Sequence, residues 1–399
     1  MRGSRCGNGT AIQGLTAAAP TQGSSGTVNV VTGQQLTGMF TGIPSSGLNL
    51  NTNTGPNALL KSASYPVPSS SSPGPLTQVP LPGGGPGYWY VDNGSSGYFT
   101  MPALWSAGPS TPYVYNNLAS NLGGIVPAGG LMIDGYPVAA GVYVFQFMDF
   151  SLGNTLYCVN GPPILLRGCR WRPASSGAPG LFNVQSTYNA NSVCAHYCDV
   201  GAPSATATAQ TGIDLNYGTN IRVLRCYLSY LSTMIQPNGD GYADVIENFM
   251  EKLTLFNASY HLNGITMNGA NLNALILRNS AVFAAADEAG NQIQQTDCVS
   301  FFQDFGNFPG TGLNSDGSTG YFVKGNYAGG SGYCYYFGQD NENGTVGNMN
   351  ASGNLVTTSV YSSGGFFGPV TAQPPWGSAG NAKSGNVWAD GPSAGMTFM

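Results

Sequence analysis

Hydrophobic positions in this chain alternate in short bursts, and each burst ends on a cysteine or an asparagine. The pattern is plainest between residues 221 and 281. Ile221-Arg-Val223-Leu-Arg-Cys226-Tyr-Leu228 is followed by Ala243-Asp-Val245-Ile-Glu-Asn248-Phe-Met250 and by Ala274-Leu-Ile276-Leu-Arg-Asn279-Ser-Ala281. Alternation at the start of each phrase predicts a half-buried strand, because successive strand side chains point to opposite faces. The Cys or Asn comes three residues after the second inward position, where a strand would meet a corner. The phrase recurs with corners at Cys169, Cys198, Asn326, Asn354 and Asn386.

Successive corners lie 29, 28, 22, 31, 47, 28 and 32 residues apart. A repeat of this size that cannot bury its apolar side alone marks a solenoid. Short strands between Gly- and Asn-rich turns, with no helical period, favour a β-solenoid over βαβ units. The expected fold is all-β, a right-handed parallel β-helix over residues 125–399 with a C-terminal cap. Its interior is aliphatic, and its bends form a structural ladder of Cys169, Cys198, Cys226, Asn248, Asn279, Asn326, Asn354 and Asn386. The long gap before Asn326 contains Cys298-Val-Ser-Phe-Phe302, which fits either an additional coil or a long excursion. Gly130–Val138 and Val142–Phe150 are expected to start the solenoid.

Residues 1–124 form a Gly/Ser/Pro-rich segment with little regular structure expected, since its composition buries little apolar surface. An aromatic hairpin is expected where Tyr88–Val91 and Tyr98–Phe99 flank Asp92-Asn-Gly94. Composition leaves open whether the segment orders against a partner or is a flexible leader.

Charge narrows the function classes. Only 7% of residues are charged and the net charge is −5, so no basic footprint for nucleic acid or for a membrane surface is present. No apolar run is long enough for a membrane helix, and the start lacks the apolar core of a signal peptide. Synthesis in a cytoplasm without a signal peptide is therefore expected, which favours free thiols over disulfides. Cys194-x-x-x-Cys198 around His196 suggests zinc, but the repeat turns the two thiols to different places, so neither metal nor cofactor is expected.

The residues Asn220–Ser229, Val245-Ile-Glu-Asn248, His261-Leu-Asn263-Gly-Ile265, Ile276-Leu-Arg-Asn279, Gly385-Asn386-Val-Trp388 and Ile133-Asp-Gly135 resemble the right-handed β-helix proteins of actinobacteria and their tailed phages. The likeness covers about residues 120–395. It implies a pectate-lyase-like fold and a viral structural protein of the minor tail type. The implied location is the phage tail within the virion, with residues 1–124 docking to other tail proteins and a homotrimer as the analogous assembly. Host attachment through a host-surface glycan is the implied activity. A depolymerase, either polysaccharide lyase or glycoside hydrolase, is the alternative. The family's coil typically reads His-x-Asp-Gly-Ile. Here Asn263 replaces the acid, and an amide cannot act as general base, so His261 and Asn263 mark a degenerate site at most.

Glycan cleavage needs two carboxylates about 5–9.5 Å apart. Asp240, Asp244, Glu247, Glu251, Asp287, Glu288, Asp297, Asp304, Asp340 and Glu342 are available, but none recurs at one repeat position, and no catalytic pair is assigned. The position after the corner should face outward. Tyr227, Phe249 and Tyr327 occupy it, and the stripe would stack on sugar rings, form a subunit seam or cover the wall of the solenoid.

Overall fold

In the computed structural model the chain is described from Val79 onward; residues 1–78 lie outside it, as do connecting stretches such as 185–192, 255–261, 284–295, 302–307 and 339–345. The described chain winds into a parallel β-helix with three walls. Wall A stacks nine strands, Tyr143–Gln146, Ile164–Arg167, Val193–His196, the end of Ala209–Leu224, the end of Tyr227–Ile246, Leu272–Leu277, Tyr321–Lys324, Met349–Ser352 and Ala382–Ser384, all parallel. Nine rungs at about 4.8 Å give a rod roughly 40 Å long.

The alternating phrase supplies the interior. Ile221, Ala243, Ala274, Tyr321 and Met349 form one column of wall A, and Val223, Val245, Ile276, Val323 and Ala351 form the column two residues on. Every one of them belongs to a single continuous apolar core. Each fully buried aliphatic side chain contributes about 1.5–3 kcal/mol. At the N-terminal end larger groups fill the core, where Phe150 stacks on Trp171 at 4.7 Å.

After each corner a short strand enters wall B, as at Asp199–Gly201, Phe249–Leu253, Ser280–Val282, Tyr327–Gly329, Leu355–Val356 and Val387–Trp388. The coil closes through wall C, which includes Gly180–Val184, Leu262–Met267, Thr296–Phe301, Tyr333–Tyr336 and Gly368–Thr371.

The corners explain why cysteine gives way to asparagine at one repeat position. Asn279 Oδ1 accepts the Asn248 backbone N–H at 3.0 Å and its Nδ2 at 2.9 Å, while Asn279 Nδ2 donates to Val245 O at 2.8 Å. Asn326, Asn354 and Asn386 repeat the arrangement. A thiol performs both tasks with one atom. Cys226 Sγ accepts the Cys198 N–H at 3.4 Å and donates to Ala195 O at 3.5 Å, the carbonyl equivalent to the one an asparagine would reach. The residue before each amide corner turns left-handed, with φ of 58° at Glu247, 53° at Arg278 and 61–63° at Gly325, Gly353 and Gly385. Glycine takes this conformation freely. Glu247 and Arg278 hold it as neighbouring rungs joined by a buried ion pair.

Three expectations are corrected or resolved. Leu131–Ile133 and Tyr136–Val138 pair antiparallel with each other as a separate hairpin and are not a solenoid coil. Ser106–Ala107 and Tyr113–Tyr115 pair parallel with Met148–Asp149 and Leu156–Cys158, so the ladder begins upstream of residue 125. The long gap before Asn326 is one coil with an excursion, because Leu272–Leu277 pairs directly with Tyr321–Lys324 and Thr296–Phe301 is that coil's wall C strand. The aromatic hairpin is present, Pro86–Val91 pairing antiparallel with Ser96–Phe99.

Both ends are folded over. Gly124–Ile125 runs antiparallel against the first rung of wall A. Beyond Val387–Trp388, residues 391–399 double back: Trp388 N–H donates to Met396 O at 2.9 Å and Phe398 N–H to Asn386 O at 3.2 Å. The Phe398 ring stacks on Tyr335 at 6.0 Å, closing the top of the core. Wall A's last strand, Ala382–Ser384, stays exposed and carries Lys383, a charge that discourages edge pairing.

Candidate functional site

Wall B places Tyr227 and Phe249 on adjacent rungs with rings stacked at 5.8 Å. The Arg172 guanidinium covers Tyr227 at 5.2 Å, and the Tyr227 hydroxyl donates to Glu251 at 2.5 Å. Burial and the Glu251 charge push the Tyr227 phenol well up. These rings spend their faces on each other and on Arg172, which leaves a sugar little to stack on. Ser280 separates Phe249 from Tyr327 on the ladder, so the three aromatics are not contiguous.

Most carboxylates that are described have partners. Asp244 meets Arg222 at 2.8 Å, Glu247 meets Arg278, and Asp199 meets Arg172. Asp390 accepts from Thr357 Oγ1 and from the Thr358 backbone and hydroxyl, which together hold its carboxyl below the usual range despite the opposing cost of burial. Asp287, Glu288, Asp304, Asp340 and Glu342 lie outside the described residues, as does the side chain of Asp240.

Asp297 is different. It pairs in register with Asn263 on the rung before and Tyr333 on the rung after, and Thr233 precedes Asn263. The next position along each strand faces the core: a Cβ on Gly212 would strike Leu231 and one on Gly264 would approach Phe283, while Met234, Cys298 and Cys334 are wholly buried there. Ile235, Ile265, Val299 and Tyr335, two residues on from the column Thr233, Asn263, Asp297, Tyr333, join the core as well, so the strands turn there and strict alternation is broken; Asn263 and Asp297 are only 4% and 6% exposed. Among the described residues none donates a hydrogen bond to the buried Asn263 Oδ1. Burial pushes the Asp297 carboxyl up to about 7.

Beside this column lies an aromatic surface. Phe366 and Phe367 are 41% and 57% exposed. Their backbone N–H groups donate to Ser331 O and Gly332 O, which fixes the loop over the Tyr333 rung. Tyr333 and Phe367 rings lie 5.6 Å apart, Phe366 and Phe367 4.8 Å, and Tyr361 and Phe366 5.7 Å.

Of the residues singled out from sequence, Asn263 falls in this column, and His261 lies outside the described residues. Where an acid was expected in the His-x-Asp-Gly-Ile phrase, the following rung supplies one at the same column. Cys169, Cys198 and Cys226 are buried thiols in the corner ladder, and Cys298 and Cys334 are buried elsewhere in the core. Among the described residues no cluster of potential metal ligands occurs. Tyr361, Phe366 and Phe367 escaped sequence reasoning because a Gly-rich loop carries no period; their one signal is an aromatic pair between glycines.

Comparison with known proteins brings no relative: no family model matches the chain, and no curated protein or solved structure is significantly similar to it.

Proposed function

We propose that this chain is a structural protein of a tailed-phage virion, a tail-associated minor protein that recognises a host-surface glycan. Residues 1–124 would dock it to other tail proteins, and the β-helix would project as a rigid spacer. The phage assignment rests on the motif resemblance. The structural observation that carries the glycan part is the aromatic surface formed by the exposed Phe366 and Phe367 with the half-buried Tyr333 and Tyr361. Aromatic faces of this kind take the C–H faces of sugars.

One observation favours a second reading, a depolymerase of the polysaccharide lyase or glycoside hydrolase kind. A carboxyl held near 7 by burial is suited to general acid catalysis at neutral pH. Incubating the purified chain with host envelope polysaccharide separates the two. Binding without new reducing or unsaturated ends is expected; release of such ends would replace the adhesin reading by the enzyme. Deleting residues 1–105, which spares the ladder strands Ser106–Ala107 and Tyr113–Tyr115, should abolish incorporation into particles, and particles that still carry the shortened chain would refute the docking role.

A further inference from the structure

We propose that the right-angled notch between the exposed rings of Phe366 and Phe367 takes the methyl group of a neutral 6-deoxyhexose. Glycan recognition, as proposed above, is presupposed; the position of the chain in a particle is not.

Ring geometry sets the shape of the group. Phe366 and Phe367 are 41% and 57% exposed, with centroids 4.8 Å apart and planes at 87°. Tyr361 meets Phe366 at 75° in the same way. Coplanar rings would make a platform for the broad face of a pyranose. Faces at a right angle make a corner instead, and a compact apolar group can touch both at once. A methyl group there turns its C–H bonds to two ring faces, the electron-rich side of each. Backbone bonds hold the corner in place: Phe366 N–H donates to Ser331 O at 2.7 Å, Phe367 N–H to Gly332 O at 2.9 Å and Gly364 N–H to Tyr361 O at 2.8 Å. Gly368 stands in register with Tyr333, and beyond its chain neighbours a Cβ there would meet only Tyr333 Cε1, at 4.0 Å. Beside the notch there is room for the rest of a sugar ring.

Charge and polarity narrow the class. Between Lys324 and Lys383 the sequence holds no lysine or arginine, and its two charges are Asp340 and Glu342. A uronate or a phosphate therefore finds no counter-charge in this stretch, and a neutral ligand is favoured. The same loop exposes Ser359, Ser362 and Ser363. Ser363 Oγ donates to Gly365 O at 2.6 Å, and its oxygen can still accept from a ligand hydroxyl. Hydroxyls of a sugar thus meet a neutral, hydroxylated loop while its apolar end meets the rings. A hydroxyl at carbon 6 would lose its water in the notch and find no partner on either ring, which weakens binding; a hydrogen in its place loses nothing. A membrane is a poorer match, because the exposed serines would have to enter the apolar layer together with the two phenyl rings.

The test passes the full chain over immobilised glycosides in matched pairs: 6-deoxyglucose with glucose, fucose with galactose and rhamnose with mannose, each in the D and L series, with N-acetylglucosamine and glucuronic acid alongside. At least one 6-deoxy member should be retained about fivefold or more above its parent hexose, since the methyl gains apolar contact and no hydroxyl is stranded. Phe366→Ala and Phe367→Ala should each erase that preference with the melting temperature unchanged, because both rings are exposed and neither belongs to the core. Equal retention within every pair, or stronger retention of N-acetylglucosamine or glucuronic acid, would overturn the site. A preference that survives both substitutions would overturn it as well and leave glycan recognition standing elsewhere on the molecule. No retention of any glycoside also overturns it; binding of whole host envelope polysaccharide by the same preparation then shows whether glycan recognition survives. Loss of self-association in Phe367→Ala, without sugar binding by the parent chain, would reassign the rings to a protein seam and overturn the proposal.

Discussion

At the scale of one residue, Asp297 carries the sharpest consequence. Its folded-state carboxyl is pushed up to about 7 by burial, against an ordinary unfolded value of about 3.9. The folded chain therefore holds more protons than the unfolded chain between those values, and stability must fall as pH rises through that window. Three pH units correspond to a loss of up to about 4 kcal/mol from this one group. Denaturant melts at pH 4.5 and 7.5 should show the drop, and Asp297→Asn should remove most of it. An Asp297→Asn chain that kept the full pH slope would place the titration elsewhere. The same residue shows why the site was hard to read. Asn263, Asp297 and Tyr333 stand 34 and 36 residues apart, with loops between them that carry no common pattern. Their meeting depends on which residue of each strand takes the next rung's register, and spacing alone does not fix that.

At the scale of the element, the corner column is the feature that was legible. It needs one residue type at one place per coil, and both Cys and Asn can accept an N–H and donate to a carbonyl, so the phrase survives the change from thiol to amide. Asn279→Leu would strip donors or acceptors from Val245 O, the Asn248 backbone N–H and the Asn248 amide at once. Each buried group left unpaired costs about 1–3 kcal/mol, so a loss of several kcal/mol is expected. Asn279→Cys should cost clearly less, because a thiol fills the equivalent role at Cys226. Equilibrium unfolding of the two variants checks the order, and equal losses would mean that the amide acts only through its volume. The walls after the corners were less legible. Strands as short as Leu355–Val356 show no alternation, and the apolar stretch Leu131–Val138 pairs with itself, since apolar content does not say which strand lies beside it. Glu247 looked like a candidate acid for a related reason: its Arg278 partner is adjacent only after the coil closes.

At the scale of the whole molecule, the ladder is graded along the chain. Thiol contacts at the Cys corners span 3.4–3.7 Å, whereas the amide contacts from Asn248 to Asn386 span 2.8–3.1 Å. Sulfur is the weaker partner in both directions. Coils near Cys169 and Cys198 should therefore open at lower free energy than those near Asn326 and Asn354. Native-state hydrogen exchange should find the Cys198 amide faster than that of Asn279 or Asn326; the reverse order would remove the grading.

The doubled-back strands at the two ends bear on how many copies of this rod can share a line. A second rod approaching end-on would find, where the next parallel rung should go, the antiparallel strand Gly124–Ile125 over wall A at one end and the folded-back residues 391–399 over wall B at the other. Simple continuation of wall A at one end and of wall B at the other is thereby blocked.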